Sequence, residues 1–442
     1  MRTRLTGWGR TAGSLAELTT PTSEDEVANA LGAPAVIARG LGRSYGDAAQ
    51  VSGGLVLDNR GLDAIAPIGP DGLVTLGAGV SIDDLLAVAI PQGWFVPVTP
   101  GTRRVSIGGA VAADVHGKNH HVDGSFAHHV RAMRLVTPSG VHELSPEREP
   151  ALFWATFGAM GLTGVVSEVT LQLLAIESDQ VLVDTDRYDD LDAVMAAMVE
   201  GDARYRYSVA WVDCMARGRR MGRSILTRGD HAGSSDLTEA TRVAPRGARL
   251  AVPFSAPPGL LNPVTITAFN ELWFRAAPRH RVGEAHSISS FFHPLDGLRD
   301  WNRLYGPRGF VQYQFAVPDD GAEAVVTAIS RLSASRVPSF LAVLKRFGDA
   351  DPAPLSFPQP GWTLALDLPV GPAALAPLLD ELDELVVAAR GRVYLAKDAR
   401  LAPSTVRAMY PRLAEFAALA DTIDPEHHLT SDLARRLRLR EG

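Results

Sequence analysis

The chain has little of what several protein classes require. A single cysteine, Cys214, among 442 residues excludes an internal disulfide and any cluster held by cysteines. No apolar stretch reaches the roughly 20 residues that span a bilayer, and no apolar region follows the basic residues near the N-terminus. We therefore expect a cytoplasmic protein, and peripheral membrane contact stays open because its sequence signals are weaker.

Basic runs and a dinucleotide-binding glycine motif are also missing. The net charge is −7 and no run of Lys or Arg stands out, which argues against nucleic acid binding. No GxGxxG motif follows a strand and opens a helix with an acid about 20 residues later, so the sequence does not favour a Rossmann fold. Short strands and short helices, such as a helix over residues 82–89 capped by Ser81, instead predict an α+β fold.

Two stretches rich in glycine, hydroxyl and basic residues are the most informative feature of the chain. ARGLGRSYG occupies residues 38–46, and PGTRRVSIGGAVAADVHGKNHH occupies residues 100–121. Glycine permits φ > 0 and has no Cβ to block a ligand, and successive backbone N–H groups in such turns bind phosphate oxygens. Thr102 and Ser106 add hydroxyl donors for phosphate. Two separated stretches of this kind predict a ligand that is long and anionic, such as a dinucleotide.

The sequence changes character after residue 178. Residues 227–263 are rich in Gly, Pro, Ser and Ala without periodicity, and a structureless stretch of that length is typical of a functional lid or a disordered loop. The remaining segments predict one antiparallel sheet with helices on one face. Gln312 and Gln314 share one face of a predicted strand, so both amides would reach the same sugar or polyol. A solvated strand face is the alternative interpretation.

Two lysines are candidates for chemistry. Lys397 in YLAKDAR follows a predicted strand where the chain returns towards the first domain, and Lys345 lies in VLKRFG. A cation at a domain junction stabilises negative charge that develops on a reduced cofactor ring. An exposed lysine is the alternative interpretation for each.

A histidine cluster raises the alternative of a metal site. It consists of His116, His120, His121, His128 and His129. The spacing does not match HExxH, and neither cysteine nor paired acids join it. We therefore expect polar loop histidines and no metal.

The motifs together resemble a known family. ARGLGRSYGD, PGTRRVSIGGAVAADVHGKNHH and GLTGVV resemble the FAD-binding domain of the vanillyl-alcohol-oxidase type. SFFHPLD, WNRLYGPRGFVQYQF, PLSFPQPGW, YLAKDAR and MYPR extend the resemblance over nearly the whole chain to the decaprenylphosphoryl-ribose 2′-oxidases. These are the flavin subunits of the epimerase that makes the arabinose donor of actinobacterial cell walls. The resemblance implies an FAD domain over residues 1–178, an antiparallel-sheet substrate domain over 179–391 with a mobile loop at 227–263, and a return over 392–442 that completes the FAD domain.

The resemblance also implies residue roles. The implied catalytic residues are Lys397, His116 and Tyr45. Non-covalent FAD would contact Arg39, Gly40, Leu41, Gly42, Arg43, Ser44, Tyr45, Gly46, Pro100, Gly101, Thr102, Val105, Ser106, Gly108, Gly109, Ala110, His116, Gly117, Asn119, Gly164, Val166, Tyr394 and Lys397. The sugar would contact Trp211, Phe292, Gln312, Gln314, Lys345, Phe347, Thr363, Ala365 and Lys397.

The reaction implied by the resemblance is oxidation of the 2′ hydroxyl of decaprenylphosphoryl-β-D-ribose, a polyprenyl-phosphate sugar, to a 2-keto product. A separate NADH-dependent keto-reductase would take the product, and a quinone or oxygen would accept the electrons. An aldonolactone or alditol oxidase acting on free sugars is the alternative among flavoenzymes, and a metal-binding or scaffolding protein is the alternative from another class. Phe292, Thr363 and Ala365 stand where relatives often carry Tyr, Asn and Cys, so inhibitors that attack that thiol are expected to fail here.

Overall fold

The computed structural model describes residues 2–237, 250–257 and 259–440. Its strands are β1 (Arg2–Thr6), β2 (Gly13–Thr19), β3 (Val36–Arg39), β4 (Leu55–Asp58), β5 (Leu73–Gly77), β6 (Trp94–Phe95), β7 (Val130–Thr137), β8 (Gly140–Leu144), β9 (Val165–Gln172), β10 (Leu174–Ala175), β11 (Gln180–Tyr188), β12 (Tyr207–Val212), β13 (Ser224–His231), β14 (Leu250–Ala251), β15 (His280–Ser287), β16 (Leu298–Arg299), β17 (Phe310–Val317), β18 (Ala342–Phe347), β19 (Gly361–Pro369) and β20 (Arg392–Val393). Its α-helices are α1 (Glu24–Ala30), α2 (Ile82–Ala89), α3 (Ile107–Ala112), α4 (His120–Asp123), α5 (Pro150–Thr156), α6 (Leu191–Gly201), α7 (Pro263–Ala276), α8 (Ile288–Phe292), α9 (Glu323–Ser335), α10 (Leu375–Ala388), α11 (Pro403–Met409), α12 (Leu413–Ile423) and α13 (Asp432–Leu437).

Two four-stranded sheets form the N-terminal part of the chain. The first has the order β1-β2-β4-β3, and β4 pairs in parallel with β2 and β3. The second has the order β5-β9-β7-β8 and is antiparallel. Helix α2 begins after Ser81, whose hydroxyl accepts from Asp84 N while the Asp84 carboxylate reaches back to Ser81 N. This reciprocal capping box fixes the start of the helix and confirms the predicted cap and bounds.

An eight-stranded antiparallel sheet forms the second part. Its strand order is β15-β11-β13-β12-β18-β19-β17-β20. Strand β17 is buried at every position, because α10 covers one face and the N-terminal part covers the other. The Tyr313 hydroxyl donates to Asp383 on α10, whereas its neighbours Gln312 and Gln314 point to the opposite face. The two-domain α+β fold with an antiparallel-sheet second domain is therefore confirmed.

The C-terminal segment packs against the N-terminal sheets. Val36 forms a parallel bridge with Leu429, and Asp432 accepts a hydrogen bond from Ser14 Oγ at 2.5 Å. Arg436 donates two hydrogen bonds to Asp47. These contacts support the predicted return of residues 392–442 to the first domain.

The predicted loop at 227–263 is wrong at both ends. Residues 227–231 belong to β13, which is held on both sides by backbone hydrogen bonds to β11 and β12. At the other end, Pro263 is the first residue of α7, a position where its missing N–H costs nothing. The part of the prediction at 238–249 and 258 lies outside the described residues. Within the described ranges, no helix has the length and apolar character needed to cross a bilayer.

Candidate functional site

The two domains enclose a cavity of about 760 Å³. It extends from the two glycine stretches to the face of the large sheet that carries Gln312 and Gln314. The predicted site residues that line it are Gly40, Leu41, Gly42, Arg43, Ser44, Tyr45, Pro100, Gly101, Thr102, Val105, Ser106, Gly108, Gly109, His116, Gly117, Gly164, Val166, Trp211, Phe292, Gln312, Gln314, Lys345, Ala365, Tyr394 and Lys397. One cavity therefore brings together the predicted cofactor and sugar residues.

Six predicted residues do not line the cavity. They are Arg39, Gly46, Ala110, Asn119, Phe347 and Thr363. The Arg39 guanidinium turns away to donate to the carbonyls of Thr6 and Ala49. The Asn119 amide donates to Pro97 O and to the Asp123 carboxylate. Both side chains therefore hold loops together, and their direct contact with a ligand stays a prediction.

Three of the other four lie directly behind lining residues. Phe347 packs edge-on against the His116 ring, with centroids 4.9 Å apart. Thr363 accepts a hydrogen bond from Gln314 Nε2 at 3.2 Å. Gly46 has no room for a side chain, because a Cβ there would lie 1.9 Å from Asp398 O. Ala110 is fully buried inside α3. Phe347 and Thr363 thus support side chains of the cavity wall.

The two glycine stretches touch each other at Gly40. A Cβ at this position would lie 2.0 Å from Ser106 Oγ, so only glycine fits. Gly42 adopts φ 64°, the left-handed region that glycine enters without strain. Gly101 has no protein atom within 4 Å of where its Cβ would stand. Its backbone therefore faces open space, as close approach of a ligand requires.

The two predicted phosphate hydroxyls differ in availability. Ser106 caps α3, and its oxygen accepts from Gly109 N at 3.2 Å, which leaves its own hydrogen free to donate. The Thr102 hydroxyl instead donates to Asp296 at 2.7 Å, and the same carboxylate accepts from Arg103 N. The Thr102 hydroxyl thus already donates to Asp296, and its donation to a phosphate stays a prediction.

His116 is a neutral imidazole in an aromatic enclosure. Its ring lies within 5.4 Å of the rings of Phe347, Phe357 and Tyr394. Burial first, and then the charge of Lys345, lower the pKa of His116 well below its usual value. Its Nε2 lies 2.9 Å from Gln314 Nε2. Because an amide nitrogen can only donate, the imidazole proton belongs on Nδ1.

Three other histidines of the cluster make hydrogen bonds with the backbone. His120 Nδ1 accepts from Gly348 N, and His121 Nε2 bonds to Tyr205 O. His129 Nε2 bonds to Asp123 O. Among the described residues, no group of three or more His, Cys, Asp or Glu side chains is arranged to hold a metal ion. The cluster thus joins loops around the cavity.

All three lysines of the chain line the cavity. The sequence has 43 Lys and Arg residues in total, but the only lysines are Lys118, Lys345 and Lys397. Burial lowers the pKa of Lys118 to about 7, and burial together with the two neighbouring ammonium groups lowers that of Lys345 to about 7. Burial lowers the pKa of Lys397 to about 8, against the opposing charge of Asp367. No sequence motif points to Lys118, but the small number of lysines in the chain is a signal that could have identified it.

A hydrogen-bonded network backs the sugar end of the cavity. Gln312 Nε2 donates to Tyr45 Oη at 3.1 Å and to Asp367 at 2.5 Å. Tyr305 Oη also donates to Asp367, at 3.1 Å. Lys397 Nζ lies 4.0 Å from the centre of the Tyr45 ring. The network therefore joins three predicted site residues to a buried carboxylate that no motif indicates.

Helix α7 forms an apolar rim at one side of the cavity. Its buried residues recur every fourth position, at Ile266, Asn270 and Phe274. Phe269 and Trp273 line the cavity, although they are 44% and 51% exposed. Their rings stack with centroids 6.2 Å apart. The rim continues outwards over Val264 and Leu272, which are 73% and 70% exposed.

Comparisons with known proteins agree with this arrangement. Residues 16–145 match the FAD binding domain family. The chain is 42% identical over 450 residues to decaprenylphosphoryl-β-D-ribose oxidase of Mycolicibacterium smegmatis, which covers 99% of this chain and 97% of that protein. An uncharacterized protein of Streptomyces coelicolor is 41% identical over 372 residues, 81% of this chain and 100% of that protein. L-gulono-1,4-lactone dehydrogenase of Mycobacterium tuberculosis is 24% identical over 432 residues, 94% of each chain. Near-complete coverage at 42% identity shows that the chain belongs to the decaprenylphosphoryl-β-D-ribose oxidase family.

Proposed function

We propose that this chain is an FAD-dependent oxidase that converts the 2′ hydroxyl of decaprenylphosphoryl-β-D-ribose into a ketone. The observation that carries the proposal is the cavity that the two glycine stretches share with the polar face of the large sheet. One end suits a long anionic ligand, and the other presents amide and ammonium groups suited to a phosphorylated sugar.

The residues of the glycine end fit FAD. Open backbone at Gly101 and the left-handed turn at Gly42 allow close approach of a pyrophosphate. Arg43 Nε is buried without a hydrogen-bond partner among the described residues and is an unused donor. Residues 40–45, 100–102, 105, 106, 108, 109, 116 and 117 would hold the cofactor. When bound, FAD supplies a hydride acceptor.

The sheet end fits a sugar hydroxyl and its oxidation. Tyr45 stays a neutral phenol, because burial and the charge of Asp367 raise its pKa well above the usual value. It therefore acts as a hydrogen-bonding group in this proposal. Lys397 presents a cation to the cavity, where it would stabilise negative charge that forms on reduction. Replacing Lys397 by Ala is expected to abolish turnover while the protein still folds and binds FAD.

The apolar rim fits the lipid part of the substrate. A polyprenyl chain is too long to fit within about 760 Å³ together with FAD and the sugar, so it has to leave the cavity. Phe269 and Trp273 offer it an apolar exit, and the exposed Val264 and Leu272 continue that surface outwards. We propose that α7 lies against the membrane that contains the lipid.

The partners follow from the chemistry of the substrate and product. The 2-keto product needs a hydride donor to regain a hydroxyl of opposite configuration, which an NADH-dependent keto-reductase supplies. A quinone or oxygen would accept the electrons from the oxidase. FAD would be bound non-covalently. The visible absorption spectrum before and after acid precipitation tests this: flavin in the supernatant supports it, and flavin in the pellet would mean covalent attachment.

The function is tested by substrate comparison. The FAD-loaded protein is mixed without oxygen with decaprenylphosphoryl-β-D-ribose or with free aldonolactones and alditols. We expect the ribosyl lipid alone to bleach the flavin absorption, and Lys397→Ala to prevent bleaching. Bleaching by free lactones without the lipid would instead identify the sugar oxidase that is the alternative.

A further inference from the structure

Asp367 is a buried carboxylate one layer behind the cavity wall. It lies on β19 opposite Gln312 on β17, and it is fully buried. Two donors reach it, Gln312 Nε2 at 2.5 Å and Tyr305 Oη at 3.1 Å. No described residue forms an ion pair with it, but Lys397 acts on it through space. Burying a charge costs free energy unless the charge is paired or has a function, so this buried carboxylate requires a functional explanation.

The carboxylate fixes the orientation of the Gln312 amide. An ionised carboxylate only accepts hydrogen bonds, so the NH₂ group of Gln312 has to face Asp367. The second hydrogen of that group goes to Tyr45 Oη. Both amide hydrogens are then used. The carbonyl oxygen Oε1 has no hydrogen-bond partner among the described residues, and Gln312 lines the cavity. Gln312 therefore offers a ligand an acceptor and no donor.

The same carboxylate supports the charge of Lys397. Burial favours the neutral amine of Lys397, and Asp367 is the group that opposes this effect. The two residues are linked through Tyr45. The centre of its ring lies 4.0 Å from Lys397 Nζ, and its hydroxyl accepts a hydrogen bond from Gln312. One negative charge thus acts on both the acceptor and the cation of the sugar site.

We propose that Asp367 is a positioning residue: it holds the Gln312 carbonyl towards the cavity as the acceptor for a sugar hydroxyl, and it supplies the negative charge behind Tyr45 and Lys397. The proposal rests on the proposed function for the identity of the ligand. The effect on Lys397 belongs to the protein alone and is measured without substrate.

The first test uses Asp367→Asn, which keeps the shape but removes the charge. The Asn amide both donates and accepts, so Gln312 is free to turn over. We expect FAD content and thermal unfolding close to those of the parent protein. We expect kcat/KM for the ribosyl lipid to fall by about tenfold or more, the size that follows from losing a charged hydrogen bond. Unchanged kcat/KM would overturn the positioning role.

Tyr305→Phe is the matched control. It removes the other hydrogen bond to Asp367 and leaves the bond to Gln312 in place. If Asp367 served only to anchor Tyr305, this variant would lose as much activity as Asp367→Asn, and the proposal would fail. We expect near-parental kcat/KM. If Asp367→Asn does not fold, the double variant Asp367→Asn/Gln312→Glu exchanges the two groups, so that one carboxylate remains and an amide donor faces it. We expect this double variant to be more active than Gln312→Glu alone.

The second test measures Lys397 directly. Protein labelled with ¹³C at lysine Cε gives three such NMR signals, because the chain has three lysines. Lys→Arg variants assign them. In Asp367→Asn we expect Lys397 to titrate at lower pH than in the parent protein, with or without FAD. An unchanged titration would overturn the proposal. Failure of the parent protein to oxidise the ribosyl lipid would overturn the proposed function instead and leave this readout intact.

Discussion

Replacement of Gly40 by Ala tests the contact between the two glycine stretches. The new Cβ would stand 2.0 Å from Ser106 Oγ and 2.9 Å from Ser106 Cβ. Ordinary contact needs about 3.5 Å, so the neighbour has to move by about 1.5 Å. Ser106 cannot move freely, because its oxygen caps α3 through Gly109 N. Overpacking costs about 1–3 kcal/mol and a lost cap about 1 kcal/mol, which together predict a loss of about 2–4 kcal/mol.

The assay is chemical unfolding of the FAD-free protein, followed by tryptophan fluorescence. Ser106→Gly removes both clashing atoms and itself costs only a few tenths of a kcal/mol, as a Ser-to-Gly cap change does. We therefore expect the double variant Gly40→Ala/Ser106→Gly to be more stable than Gly40→Ala alone. Such non-additivity is the signature of two groups in contact.

Gly101→Ala is the matched control. Its Cβ would meet no protein atom within 4 Å, so we expect parental stability without FAD but weaker FAD binding in a flavin fluorescence titration. The reasoning is refuted if Gly40→Ala is as stable as the parent protein, or if the double variant is no more stable than Gly40→Ala.

Three further outcomes are expected. Because the pKa of Asp367 is raised to about 6, its charge is lost as the pH falls; kcat/KM should drop about tenfold between pH 7 and pH 5, and a flat profile would contradict this. His116 does not contribute to this limb, since it is already neutral, whereas Lys118 and Lys345, with pKa values lowered to about 7, gain charge over the same range; the drop assigned to Asp367 is therefore the part that Asp367→Asn removes. Ala365→Cys should have one thiol that a thiol reagent labels in the native state. The parent protein should have none, because Cys214 is buried and the pKa of its thiol is raised; equal labelling of both proteins would refute this. Leu272→Asp should weaken binding to phospholipid vesicles while Thr267→Asp, the same charge elsewhere on α7, should not; equal binding by both would count against the membrane face.

The parts of the site that depend on local pattern could be predicted from the sequence. The period of two along a strand places Gln312 and Gln314 on one face, and the structure has both lining the cavity. The glycine stretches could also be recognised, because glycine is the residue that enters the left-handed region without strain, as Gly42 does with φ 64°.

The parts that depend on distant partners could not be predicted. Asp367 is the lone ionisable residue of its strand, and its donors lie 55 and 62 residues away in the chain. The Thr102 hydroxyl is taken by Asp296, 194 residues away. No short-range pattern contains such pairings.

Helix α7 could not be predicted from the sequence for a different reason. It begins with Pro263 and continues through β-branched residues at 264–267, a run with weak helix propensity. Packing of Ile266, Asn270 and Phe274 stabilises the helix instead, and Asn270 donates to buried Asp213 at 2.7 Å. Tertiary contacts thus override the local preference.

The distribution of lysine has a practical consequence for anyone handling this protein. Apart from the amino terminus, the outer surface carries no primary amine, since Lys118, Lys345 and Lys397 all open into the cavity. Acylating dyes, aldehyde cross-linkers and amine-coupled sensor surfaces would therefore react at the amino terminus or inside the cavity. Burial lowers the pKa of Lys118 and Lys345 to about 7, which favours the neutral amine, the form that attacks electrophiles. A reagent that normally labels the surface of a protein would here modify the lysines inside the cavity.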